Sequence, residues 1–155
     1  MEATDKIQFK NQLKEFCRHA IEQRMTAAKE AIQNAQEAAN NEEKSSAGDK
    51  YETARAMGHL QKDMHSRQLS EYIKEMSDLL AVNAGVIYDH AGAGAYIETG
   101  HTSFFIAAGL GKQTIDGRQI FFLSPNAPLA LMLHNKIKGD SFVFNKNKIV
   151  ITELF

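Results

Sequence analysis

From Ile7 to about Asn41 the chain holds neither Gly nor Pro, and its apolar residues return at helical spacing: Leu13, Phe16, Cys17, Ala20, Ile21, Ala28, Ala31, Ile32, Ala35, Ala38 and Ala39. Recurrence every three or four residues marks one buried face of a helix. The stretch predicts a single long helix, with a stripe that is bulky at its start and thins to alanine toward residue 40. A second helical run is predicted from about Asp49 to Leu80, with Ala54, Met57, Leu60, Met64, Leu69, Tyr72, Ile73, Met76, Leu79 and Leu80 on its buried face. The phase slips between Met64 and Leu69, which predicts a packing irregularity there. Gly58 costs about 1 kcal/mol of helix propensity relative to Ala, a cost that neighbouring packing can absorb. Two long amphipathic helices with a short link bury their stripes by packing antiparallel. At about 1.5 Å per residue, an arm of about 30 residues would extend roughly 45 Å. The link around Ser45, Ser46, Ala47, Gly48 and Asp49 would be its tip.

Beyond residue 82 the grammar changes to short β-branched and aromatic runs between turn signals. Strands are predicted at 85–89, 95–99, 102–107, 119–123, 142–144 and 148–154. Thr99-Gly100-His101, Asp116-Gly117 and Gly139-Asp140 supply turns, and the AGAGAY run at 91–96 reads as a flexible hairpin. PLALMLHN at 128–135 reads as one short helix, opened by Pro128 where a helix tolerates proline best. The fold class is therefore α+β: an antiparallel helical hairpin over 1–82 with its tip at 42–52, then a β-rich domain over 83–155, an antiparallel sheet with one helix across a face.

Charge narrows the function. Lys plus Arg total 18 against 19 Asp plus Glu, so the chain lacks the basic excess that holds a protein on duplex DNA, and autonomous DNA binding is not expected. There is no apolar signal region near the start and no run of 18 apolar residues. A soluble, cytoplasmic protein without a membrane partner is the expectation. A single cysteine, Cys17, excludes an internal disulfide, and no Cys/His spacing resembles a zinc site. The FFIAAGLG run lacks the glycine spacing and the Lys-Ser or Lys-Thr of a phosphate loop.

The chemistry concentrates at the tip. Between Glu37 and Glu52 stand five carboxylates, Glu37, Glu42, Glu43, Asp49 and Glu52, against two lysines, Lys44 and Lys50. Asp49 and Glu52, three residues apart, fit an approximate capping box for the second helix, in which the first carboxylate accepts a backbone N–H and the second reaches back. The same pair suits a hard divalent cation such as Mg²⁺, which takes carboxylate oxygens and keeps several waters when only one or two are offered. Such a site is incomplete and gains tight metal only when another molecule supplies the remaining ligands.

Two segments, AGDKYETARAM at 47–57 and LSPNAPLALMLHNKIKGDSFVF at 123–144, resemble the Gre family of bacterial transcript cleavage factors. The first is similar to the family's Gly-Asp-Leu-x-Glu-Asn-Ala-Glu-Tyr tip. The second, more specific, is similar to its Ser-Pro-Ile/Leu-Ala-x-x-Leu-x-Gly-Lys-x-x-Gly-Asp segment. The resemblance implies an FKBP-like fold for the C-terminal domain and RNA polymerase as the partner, with the arm reaching through the secondary channel toward the nascent RNA 3′ end. It puts Asp49 and Glu52 on the tip acids that help hold the second Mg²⁺ of the polymerase and orient the attacking water, and Pro128 on the proline of the docking loop. Lys136, Gly139 and Asp140 fall on the Lys-x-x-Gly-Asp positions, where Gly-Asp reads as a turn. No cofactor of its own is implied, and the protein is not itself an enzyme but stimulates cleavage of backtracked RNA by the polymerase.

The chain departs from the family pattern at Tyr51 and Thr53 beside the tip Glu, at Ala127 where Ser is common, and at Asn135 where Gly is common. A channel factor that inhibits or modulates the polymerase without cleavage is the alternative these departures raise. A chaperone or prolyl isomerase built on the C-terminal half is a further one, for which no aromatic-lined pocket signature is evident and an acidic arm is not needed.

Overall fold

The computed structural model describes residues 1–43 and 48–155, the side chains of 42–51 excepted. The chain is α+β, as the patterning predicts. Two long helices, α1 (Ala3–Glu43) and α2 (Gly48–Ala81), precede a six-stranded sheet made of β1 (Tyr96–Thr99), β2 (Ser103–Ile106), β3 (Gly111–Ile115), β4 (Arg118–Leu123), β5 (Ser141–Phe144) and β6 (Asn147–Leu154). One short helix, α3 (Pro128–Leu133), lies between β4 and β5. Among the described residues no helix is long and apolar enough to cross a membrane. The chain forms two compact units, one of Met1–Arg18 with Asp78–Phe155, the other of His19–Ser77.

In the unit of His19–Ser77 the two helices pack against each other. Lys62 Nζ donates to Gln36 Oε1 at 2.8 Å, and Gly58 lies against Ala39. As the residue number rises along α1 it falls along α2, so the pair is antiparallel. On α1 the seam runs through Ile21, Ala28, Ala35 and Ala39, all buried. On α2 the inward positions are Ala54, Gly58, Lys62, His65, Leu69, Tyr72 and Met76, each half-buried. These are spaced by fours and threes, close to the period of a coiled-coil seam.

That seam corrects the buried face expected from the sequence. Met57, Leu60 and Met64 are 57%, 67% and 51% exposed, and Ile73 and Leu80 also face solvent. The expected phase slip between Met64 and Leu69 is absent, because Met64 faces outward and the inward residue before Leu69 is His65, one turn away. Where Ala35, Ala39 and Gly58 meet, the backbones approach too closely for large side chains between them, and the bulky residues stand to the side.

In the other unit, strand order is β3-β4-β2-β1-β6-β5. All neighbours are antiparallel except β2 and β4, which run parallel with Phe104 opposite Phe121 and Phe105 opposite Phe122. A wholly antiparallel sheet does not form because the chain from Ala107 to Gly117 crosses over and spends its strand, β3, on the outer side of β4. Side chains alternate across the pleat. Ile97, Phe104, Ile106, Phe142 and Ile151 share one core with Ala130 and Leu133 of α3. On the opposite face the first turns of α1 cover Tyr96 and Phe122, with Phe9 edge-on to Tyr96 at 5.0 Å and Phe16 against Phe122 at 5.5 Å. Burial of both faces explains the unbroken apolar run of Phe104 to Ala108.

Two local expectations are overturned. Residues 85–89 form no strand: Asn83 Oδ1 accepts from the Gly85 N–H at 2.9 Å, and the Val86 carbonyl accepts from Lys10 Nζ at 2.5 Å. Side chains thus take the backbone groups a ladder would need. The AGAGAY run is no hairpin but a tight, packed turn, with Gly94 at φ +91° and so near Asn83 that a Cβ there would stand 2.5 Å from the Asn83 carbonyl oxygen. Conversely, Asp116 and Gly117 both adopt positive φ, 50° and 78°, in the predicted turn, and join β4 to the unforeseen β3.

Candidate functional site

Positions 49 and 52 are both on α2, at its start, one helical turn apart. Residues so spaced are neighbours along a helix face. Glu52 is exposed. The side chain of Asp49 lies outside the described residues, as do Ser45, Ser46 and Ala47 of the expected link. Of the other acids counted at the tip, Glu37 on the last turns of α1 accepts from Gln33 Nε2 at 3.3 Å, an i,i+4 pair. Glu42 and Glu43 lie beyond the described side chains. The donor type at position 52, a solvent-facing carboxylate, is one a hard cation accepts.

The second set of expected residues surrounds α3. Ala127 is its N-cap, in extended conformation (φ −64°, ψ 146°), without a side-chain cap, and Pro128 occupies the first turn. Pro128 is exposed. Its fixed φ suits that position, and its missing N–H is one the helix could not use. The helix ends at His134, after which Asn135 adopts a left-handed φ of 65°. Asn135 N–H donates to the Ala91 carbonyl at 2.9 Å, and Ala91 N–H returns to Lys136 O at 2.8 Å. Gly139 (φ +94°) and Asp140 form the expected turn, with Asp140 Oδ2 accepting from Ile137 N–H at 2.9 Å.

A feature the sequence did not suggest sits opposite. Lys10 is fully buried, donating to the carbonyls of Val86 at 2.5 Å and Gly94 at 2.9 Å, with its ammonium 4.7 Å from the Tyr88 ring centroid. One turn on, Lys14 donates to Val82 O at 2.6 Å, just past the end of α2. Among the described residues no carboxylate pairs with Lys10, and burial pushes the pKa of its ammonium down to about 8. The two lysines hold the segment after α2 onto α1. Their i,i+4 spacing on an otherwise apolar face was the available signal.

No family model matches this chain, nor does any curated protein or solved structure.

Proposed function

We propose that this protein is a Gre-type factor that enters the secondary channel of RNA polymerase and stimulates Mg²⁺-dependent cleavage of backtracked RNA. The observation that carries the reading is the placement of Glu52: an exposed carboxylate at the start of α2, in a helix pair whose seam toward that end, at Ala35, Ala39 and Gly58, is made of small residues. A small-residue seam brings two helices close and keeps the pair slender, which suits a narrow channel. The α3 region adds support. Asn135 stands where the family commonly has Gly, and its left-handed backbone is the one that favours Gly and next tolerates Asn. Exposed Pro128 is available to the docking partner in an FKBP-like C-terminal domain.

The chain's own task is positioning. Asp49 and Glu52 present carboxylate oxygens, accept hydrogen bonds from the attacking water, and fix its direction relative to the scissile phosphodiester. When bound in the complex, the second magnesium of the polymerase supplies a Lewis acid that lowers the pKa of that water. The protein alone hydrolyses nothing and carries no resident cofactor. Its C-terminal unit grips the polymerase, and it touches RNA only at the 3′ end.

Tyr51 and Thr53, beside the acid pair, favour one second reading: a channel factor that blocks access to the active centre without cleavage. Purified polymerase stalled in a backtracked complex tests both. Addition of the protein with Mg²⁺ is expected to shorten the RNA and restart elongation. Binding with slowed elongation and intact RNA would select the second reading, and no binding would overturn both.

A further inference from the structure

A cleft of about 340 Å³ lies beside the end of α2, lined among others by Asp78, Ala81, Val82, Tyr88, Pro125 and Asn126. Its size is at the lower end of the roughly 300–1,000 Å³ of small-ligand sites. Most of its polar groups are committed. Tyr88 Oη donates to the Asn83 carbonyl at 3.1 Å, Asn83 Oδ1 accepts from Gly85 N–H, and Val82 O accepts from Lys14 Nζ. Asp78 is different. It is the one charged side chain in the described lining, it is exposed, and no hydrogen bond or ion pair reaches it among the described residues.

Its position sharpens the point. Asp78 stands in the last turn of α2, which holds no basic residue. A carboxylate there adds to the negative end of the helix dipole, an unfavourable placement unless a cation comes to it. Lys14 meets the helix end at the Val82 carbonyl and Lys10 goes to the carbonyls of Val86 and Gly94, and among the described residues neither pairs with the Asp78 carboxylate. The cleft therefore pairs an unmet negative charge with apolar wall from Ala81, Val82 and Pro125.

We propose that this cleft receives the guanidinium of an arginine side chain on a partner protein. The methylene stem would lie on Ala81, Val82 and Pro125, the planar head would meet the Asp78 carboxylate, and the exposed amide of Asn126 would give a second polar contact. Arginine suits better than lysine because its fork matches a carboxylate, its head is less strongly hydrated, and its flat face tolerates an aromatic wall such as Tyr88. An anionic ligand is disfavoured by the Asp78 carboxylate. The inference is independent of the acid pair at positions 49 and 52.

The test is a titration of the full-length, isotope-labelled protein with three capped tripeptides, Gly-Arg-Gly, Gly-Lys-Gly and Gly-citrulline-Gly, read by amide chemical shifts. The arginine peptide is expected to move the amides of Asp78, Val82, Tyr88 and Asn126 with millimolar affinity, the lysine peptide more weakly, and the citrulline peptide not at all. Asp78→Asn is expected to weaken the arginine peptide about tenfold, as loss of a charge-assisted contact does. Ala81→Leu, which narrows the cleft and leaves the charge, is expected to weaken it as well. Equal shifts from citrulline and arginine, an unchanged Asp78→Asn variant, or no shifts in these residues would overturn the proposal.

Discussion

Gly58 of α2 and Ala39 of α1 approach so closely that a Cβ built on the glycine would stand 3.3 Å from the alanine Cβ. The glycine therefore trades helix propensity for proximity between the helices. Gly58→Ala is expected to leave the melting temperature nearly unchanged, because a gain of about 1 kcal/mol in propensity is offset by the tight contact. Gly58→Leu is expected to destabilise by about 1–3 kcal/mol, the cost of overpacking a closed seam. Thermal denaturation followed by circular dichroism checks both, and a leucine variant as stable as the parent would show that the helices are not held this close.

The buried lysine predicts an uncommon pH dependence. Lys10 titrates at about 8 when folded, against 10.5 normally, so between those values the unfolded chain binds more protons and stability rises with pH. Burial pushes the Cys17 thiol the other way, from 9.0 to about 12, and its contribution falls with pH over that range. The expected profile rises from pH 8 to 9, flattens where the two oppose, and falls above about 10.5. In Lys10→Met the early rise should vanish and the later fall remain. Denaturant unfolding at a series of pH values reads this directly, and parallel profiles for parent and variant would refute it.

Tyr96 is fully buried, yet its hydroxyl finds no hydrogen-bond partner among the described residues; Ser103 and Arg118 come near it without forming one. A buried hydroxyl without a partner is a liability, so Tyr96→Phe is expected to leave stability within about 0.5 kcal/mol of the parent or raise it. Phe104→Ala, which empties the ring cluster with Phe121, Phe142 and Phe144, is expected to cost about 3–5 kcal/mol. Equilibrium unfolding of the two variants separates packing from polarity on the two faces of the sheet.

Much of this architecture is legible in the sequence, for identifiable reasons. The long run without Gly or Pro and the recurrence of Leu13, Cys17, Ile21 and Ala28 give α1. Most strands and all three turns follow from β-branched and aromatic runs between glycines. The inward face of α2 is not legible in the same way, because hydrophobicity does not mark burial along that helix. Near residue 58 the seam excludes bulk, and Met57, Leu60 and Met64 are left outside. β3 carries little local signal because it is a polar edge strand, Gly-Lys-Gln-Thr-Ile, whose only apolar side chain is Ile115. The segment at 85–89 looked like a strand because its competitors for hydrogen bonding, Lys10 and Asn83, are not visible in a local window. Of the candidate site residues, Glu52 and Pro128 are both exposed, whereas the approach of Lys10 to Tyr88 depends on a contact across half of the chain.

The central proposal is that the carboxylates at positions 49 and 52 work in the active centre of a polymerase. The most direct measurement compares parent, Asp49→Asn and Glu52→Gln for RNA shortening in a backtracked polymerase complex with saturating Mg²⁺, with polymerase binding measured in parallel. The account predicts cleavage by the parent, its loss by at least about a hundredfold in Asp49→Asn, consistent with removal of an electrostatic contact to the reacting centre, a comparable loss in Glu52→Gln, and unchanged binding. Cleavage by both variants at the parent's rate, with binding intact, would contradict it.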